Sequence, residues 1–226
     1  MGPNKMSKNG MLGWGIVILL MGTGCSTTRD GFAYRLYHNT NAKYNGFFYA
    51  AEAMKEAEQV LYEGYEENWD EILPIFRPVD EATGQQVYPL MERAIEKCTK
   101  VVDKHTMSPS RRQQKDLKRP ELNKWIDDNY DVIARAHLIK GEKEKALEVF
   151  QYLVRTLDYP DAQAWSNAWM ARTYMAFDDR VRASNTLIKA AQTKRVDDPE
   201  VMVYVHQVYA AFYLMYDEVE LSLIHI

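Results

Sequence analysis

Residues 123–160 read NKWIDDNYDVIARAHLIKGEKEKALEVFQYLVRTLDYP, and the fold follows from this stretch. Apolar residues recur at steps of three and four on both sides of Lys140-Gly141-Glu142, the pattern of two amphipathic helices joined by a tight turn. Ala134 and Ala146 lie on opposite sides of that turn and let the helices approach near the short end of the roughly 8–10 Å packing range. Gly141 supplies a permissive backbone where the first helix ends. Ala146, Phe150, Leu153 and Leu157 form one stripe on the second helix, and Pro160 stops it.

The pattern recurs 37 residues on. Ala134 falls on Ala171, His137 on Tyr174, Gly141 on Asp178, Ala146 on Ala183 and Phe150 on Leu187. A hairpin of this kind cannot bury its face alone and stacks on a neighbour. The second copy is the weaker one, because Asp178 stands where the first has glycine. A third first-type helix opens at Asp198-Pro199-Glu200, with a capping aspartate and proline at the first helical position. It runs to about Tyr216 and is apolar nearly all round, from Val201 to Met215, so it requires cover. His206 and Gln207 and its short length argue against a membrane span. The expected cover is a partner arm beyond the end of the chain. The sequence therefore reads as a fragment of a longer protein, with residues 217–226 an uninformative tail; a short genuine cap is the alternative.

The amino terminus reads as an address. Lys5 and Lys8 precede the apolar run Met11–Met21, the small residues Gly22-Thr23-Gly24 follow, and then Cys25. A basic end, a short apolar core and a small-residue cleavage region make a secretory signal over residues 1–24. The cysteine in that place resembles the acylated first residue of a bacterial lipoprotein, although Gly22 occupies the usual leucine position. Acyl chains gain about 0.8 kcal/mol per buried methylene, so two or more would hold Cys25 firmly on a bilayer. Ser26 after the cysteine implies the outer membrane by analogy with lipoprotein sorting signals, and the lack of an acidic pair there favours its periplasmic face. A plain secreted protein cleaved near Gly24 is the alternative.

Between Cys25 and the repeats, residues 25–107 form an N-terminal helical segment. One helix is expected over 39–67, with Tyr44, Phe47, Phe48, Ala51, Met54, Glu58 and Leu61 on its inner and flanking positions. An extended apolar strip, residues 68–76, follows, with Pro74 and Pro78 barring a helix. A second helix is expected over about 87–104, with Cys98 buried among Met91, Ala94, Ile95, Val101 and Val102. Residues 108–120 are a basic linker with five positive charges and one negative. It reads as a solvated loop or, alternatively, as a contact for lipid headgroups or an acidic partner. Residues 121–216 hold the repeats. The whole is all-α: an α-solenoid of helical hairpins behind an N-terminal helical segment. A chain running from Cys25 to Ile226, 202 residues, buries a sizeable core.

The hairpins resemble tetratricopeptide (TPR) repeats. The lipobox cysteine, Tyr37-His38-Asn39 with Ala42-Lys43-Tyr44-Asn45-Gly46, the strip from Asp70 to Phe76, and Lys124–Tyr130 together resemble the N-terminal part of the SprE or PorW lipoproteins. These belong to the type IX secretion and gliding machinery of Bacteroidota. The resemblance covers about residues 25–216. It implies an outer-membrane lipoprotein that couples periplasmic ring and motor components to the translocon through protein contacts. Two rivals stand beside it. One is another envelope TPR lipoprotein, such as a BamD-like assembly factor, whose repeats would begin soon after the cysteine, whereas about a hundred residues intervene here. The other is the scaffold part of an enzyme whose catalytic domain lies beyond this chain.

No catalytic constellation is legible, so the chain is read as a non-enzyme with no cofactor, metal or small-molecule substrate. The five histidines are scattered along the sequence, without a metal-ligand spacing. His137 stands at an aromatic repeat position and reads as a packed, hydrogen-bonded imidazole. Asp127 and Asp128 point about 100° apart on a helix and serve its first turn, favourable to the dipole. A net charge of −4 argues against nucleic acid. In stacked hairpins the first helices line the concave side. Register then makes Asp128, Asp131 and Arg135, with Trp165, Arg172 and Met175, the candidates for a partner groove. Paired charges beside an aromatic suit an extended peptide or a partner helix. Reversing the charges of Arg135 and Arg172 together is expected to weaken partner capture without unfolding.

Overall fold

The computed structural model describes residues 31–70, 72–77, 81–117 and 120–216. Residues 1–24, expected to be a signal, Cys25 and residues 217–226 lie outside the described residues, as do Glu71 of the strip, Pro78 just beyond it, and Lys118 and Arg119 of the linker. The described residues are all-helical, with no strand among them.

A continuous rod opens the described chain. It comprises α1 (Phe32–Asn41), a π-helical segment (Ala42–Phe47) and α2 (Phe48–Glu63). This helix starts seven residues earlier than the sequence reading, and its buried side is different. His38, Ala42, Gly46, Ala50, Ala53, Met54 and Ala57 face inward, while Tyr44 and Phe48 are exposed. The π segment is the cause. In an α-helix a step of four residues overshoots a full turn by about 40°. The wider π turn removes that drift, so a stripe of small residues at steps of four stays on one side. Close approach then selects them. A Cβ on Gly46 would stand 2.3 Å from Val101 Cγ2 and 2.7 Å from Asn129 Oδ1.

Helix α3 (Glu81–His105) is the next helix. It buries Val87, Met91, Ala94, Cys98 and Val101, with Ile95 and Val102 partly covered. Burial pushes the Cys98 thiol up to about 12, so it is an apolar filler there. In the basic linker Ser110 makes a capping box with Gln113 and starts the four-residue α4 (Arg111–Gln114).

The four helices expected over 123–193 are present: α5 (Ile126–Ile139), α6 (Lys143–Thr156), α7 (Pro160–Ala176) and α8 (Arg180–Gln192). Then comes α9 (Pro199–Met215), capped by the Asp198 carboxylate, which accepts from Glu200 N at 2.9 Å. Ala134, Ala171, Ala146 and Ala183 are all fully buried, as are Phe150 and Leu187 at the matching positions. The two turns close identically. Gly141 has φ 74°, with Glu142 N donating to His137 O and Gly141 N to Leu138 O, both at 2.9 Å. Thirty-seven residues on, Asp178 has φ 53°, with Asp179 N donating to Tyr174 O at 2.9 Å and Asp178 N to Met175 O at 3.0 Å. Both are the doubly bonded left-handed ends that helices use to satisfy their last carbonyls. Aspartate tolerates that conformation better than most residues, so the second hairpin keeps its turn without glycine.

Packing follows chain order. Helix α3 lies against α2 and α5, α6 against α5 and α7, and α8 against α7 and α9. First arms also touch first arms: α2 with α5, α5 with α7, and α7 with α9. Helix α5 therefore serves two cores, sending Val132, Ile133 and Ala136 toward α2 and α3 and Ala134 toward α6 and α7.

Candidate functional site

The side shared by α2, α5, α7 and α9 carries a continuous ladder of charges and rings. On α5, Asp131 and Arg135 stand one turn apart with 3.5 Å between Oδ2 and Nη1. Arg135 also reaches Glu58 of α2 at 3.4 Å and lies 4.7 Å over the Trp169 ring of α7. Trp165 Nε1 donates to Asp131 Oδ1 at 2.8 Å. Arg172 also lies 4.7 Å over the Trp169 ring and donates to the Tyr204 hydroxyl of α9 at 3.4 Å. Tyr204 packs against Trp165 at 4.7 Å and Trp169 at 4.8 Å, and Phe150 stacks on Trp169 from within the core.

Burial raises the Asp131 carboxyl above the usual carboxylate range, against the opposing pull of Arg135 and the Trp165 hydrogen bond. Burial likewise raises the Tyr204 phenol. Trp169 Nε1 and Arg135 Nε are buried without a hydrogen-bond partner.

One more residue enters from far off in sequence. The strip between α2 and α3 is neither helix nor strand in its described residues, with a turn at 69–70 and a bend at 75–76, and its Phe76 ring lies 4.0 Å from the Arg172 guanidinium and 6.0 Å from the Tyr204 ring. Arg77 pins the strip back on the end of α2. It donates to Tyr62 O and to Glu67, each at 3.0 Å, with its guanidinium 3.7 Å from the Tyr62 ring.

Of the six groove candidates, Asp131, Arg135, Trp165 and Arg172 meet in this ladder. Asp128 lies half-buried one turn before Asp131 on α5. Met175 is a correction: it is buried in the core, because α7 is covered on nearly every side. Reversing Arg135 and Arg172 would act on packing as well as on partner capture. Both guanidiniums are packed on Trp169, and a carboxylate at 135 would face Asp131 and Glu58. Trp169 and Tyr204 are the members that repeat register missed. The signal for Trp169 is its place one turn after Trp165, whereas Tyr204 falls 37 residues after Asn167, which is not aromatic.

Sequence spacing also missed a histidine pair. His38 on α1 and His105 at the end of α3, 67 residues apart, bring their Nδ1 atoms to 3.0 Å. Asn123 bridges their backbones, donating to His38 O at 3.2 Å and His105 O at 2.9 Å. Burial lowers both ring pKa values, and that of His105 is lowered further by His38 and Lys104. No group of three or more metal-binding side chains occurs among the described residues. His137 is packed beside the turn with Nδ1 2.5 Å from Glu142 Oε2. Although burial opposes it, hydrogen bonds from His137, Lys145 and Lys140 hold the Glu142 carboxyl down at about 2. Asp127 and Asp128 occupy the first turn of α5, where Asp127 accepts from the Tyr159 hydroxyl at 2.9 Å.

Among the described residues no helix is long and apolar enough to cross a membrane. No protein-family model matches the chain, and a search of the curated proteins finds no relative.

Proposed function

We propose that the chain is a non-enzymatic scaffold: an α-solenoid of TPR-like hairpins, held by acylated Cys25 on the periplasmic face of the outer membrane. It serves type IX secretion and gliding by joining ring and motor components to the translocon. The observation that carries the scaffold reading is the ladder from Glu58 through Arg135, Trp169 and Arg172 to Tyr204, because it runs over the first arms of successive hairpins. Phe76 illustrates what that side accepts, an aromatic side chain on a non-helical segment laid against an arginine. A partner peptide of that kind, with a carboxylate to meet the guanidiniums, fits the same chemistry. The secretion assignment rests on the sequence resemblance alone.

One observation favours the second reading, a BamD-like envelope assembly factor. The rod and α3 already pack on α5 as a first hairpin does, so hairpin stacking begins at Phe32, seven residues after Cys25. The long spacing that counted against this rival in the sequence is thereby removed.

Affinity capture of the acylated protein from its native membranes, read by mass spectrometry, separates the two. Recovery of type IX ring, motor or translocon subunits supports the first reading. Recovery of barrel-insertion subunits replaces it with the second.

A further inference from the structure

The outer side of the opening rod is apolar and aromatic where a water-facing helix would be charged. Phe32, Leu36, Tyr44 and Phe48 are 81, 55, 53 and 51 % exposed. They recur at steps of four, with Thr40 between, opposite the buried stripe His38, Ala42, Gly46 and Ala50. The π segment that keeps the inner stripe straight keeps this outer one straight too. Tyr37 and Tyr49 are exposed beside it.

Charge sets this side apart as well. From Gly31 to Ala51 the chain has not one carboxylate, in a protein of net charge −4, and its bases Arg35 and Lys43 are half-buried at the flank, with Arg35 Nε enclosed and Lys43 Nζ 4.9 Å from the Trp125 ring. Aromatic rings flanked by basic residues, without acidic ones, suit the headgroup boundary of a bilayer, where rings bury their faces and keep hydroxyls wet. A second copy of this chain or an acidic partner would not account for the tether. Phe32 follows Cys25 by seven residues, and seven residues span at most about 25 Å. An acyl group on Cys25 therefore holds the start of α1 within that distance of the lipid.

We propose that the outer face of the Phe32–Tyr49 rod lies on the membrane surface as a second contact beside the lipid anchor. The inference rests on the lipoprotein reading for its tether, but the face is testable without the acyl group.

The test uses the processed chain Cys25–Ile226 carrying Cys25→Ala, in flotation with phosphatidylcholine vesicles and with vesicles containing phosphatidylglycerol. A second protein adds Phe32→Ser, Leu36→Ser and Phe48→Ser, exposed positions whose replacement leaves thermal unfolding within a few degrees. The expected result is flotation of the first protein, stronger on the anionic vesicles, and at least about a tenfold lower vesicle affinity for the second, since each side chain gives up part of its burial in lipid. The proposal is overturned if the first protein stays in solution with both vesicles or if the two float equally. It is also overturned if sedimentation shows a dimer of the first protein that the three serines abolish, which would make the face a contact between copies. The mass of the mature N-terminus from native membranes reports the anchor separately. An unacylated terminus with flotation intact removes the lipoprotein reading and leaves the face standing.

Discussion

At the scale of single residues, the two hairpin turns give a matched pair of tests. Gly141 adopts φ 74° with nothing within 4 Å of where a Cβ would stand, so Gly141→Ala adds backbone strain and no clash. It is expected to lower stability by about 1 kcal/mol. Asp178 already bears that strain, and its contact with the Tyr216 hydroxyl at 3.4 Å is weak. Asp178→Gly is expected to raise stability by about 0.5 kcal/mol, the relief being partly offset by a freer unfolded chain. Urea midpoints of the two variants, moving in opposite directions, check both. The histidine pair yields a pH dependence. Its rings lie below their ordinary value near 6.5 through burial, with His38 and Lys104 acting further on His105. The unfolded chain then binds more protons as the solution is acidified. This contribution is complete above about pH 6.5 and declines as pH falls below it. Glu142, held at about 2, keeps its charge throughout that range. The urea midpoint is expected to drop between pH 7.5 and 5.5, and the drop to shrink in His105→Gln. The turn glycine was legible in sequence because its conformation is a local need. The pair was not, because 67 residues separate two rings that only helix packing brings together.

At the scale of elements, the opening rod is where reading and structure part. Periodicity found the helix but set Tyr44 and Phe48 among its inner and flanking positions, since an α-helical wheel applied to a segment containing a π turn assigns the wrong side beyond it. Gly46 marks the spot. Its Cβ would fall 2.3 Å from Val101 Cγ2, a β-branched side chain with little freedom to move. Gly46→Ala is expected to cost about 1–3 kcal/mol as overpacking, far more than a glycine-to-alanine change in an exposed helix, where alanine stabilises. Thermal unfolding of Gly46→Ala beside Ala51→Gly, a partly exposed site one turn on, distinguishes the clash from helix propensity. Helix α9 was read correctly from its capping aspartate, its first-turn proline and its apolar length. All three signals are local to the element.

For the whole molecule, the strip between α2 and α3 ties distant elements together. Phe76 meets Arg172 and Tyr204, 96 and 128 positions further on. Phe76→Ala is expected to raise amide hydrogen exchange over residues 65–77 while protection in α5 to α8 persists. Unchanged exchange in the strip would show that Arg77 alone holds it. Arg135 joins α2, α5 and α7, so Arg135→Glu is expected to cost about 2 kcal/mol by leaving like charges together in a half-covered site. A urea titration measures it, and a cost near zero would mean that the ladder is wet and loosely held.

The all-α class, the hairpin borders and the alanine positions follow from patterns no longer than one repeat, because amphipathic spacing, turn chemistry and capping act over a few residues. Four of the six groove candidates could be located from register for the same reason. The closure of the ladder by Phe76, the burial of Met175, the histidine pair and the outward aromatic side of the first rod were decided by the tertiary structure. Each depends on which helix face meets which neighbour, and that is settled by close packing of small residues between elements tens of residues apart.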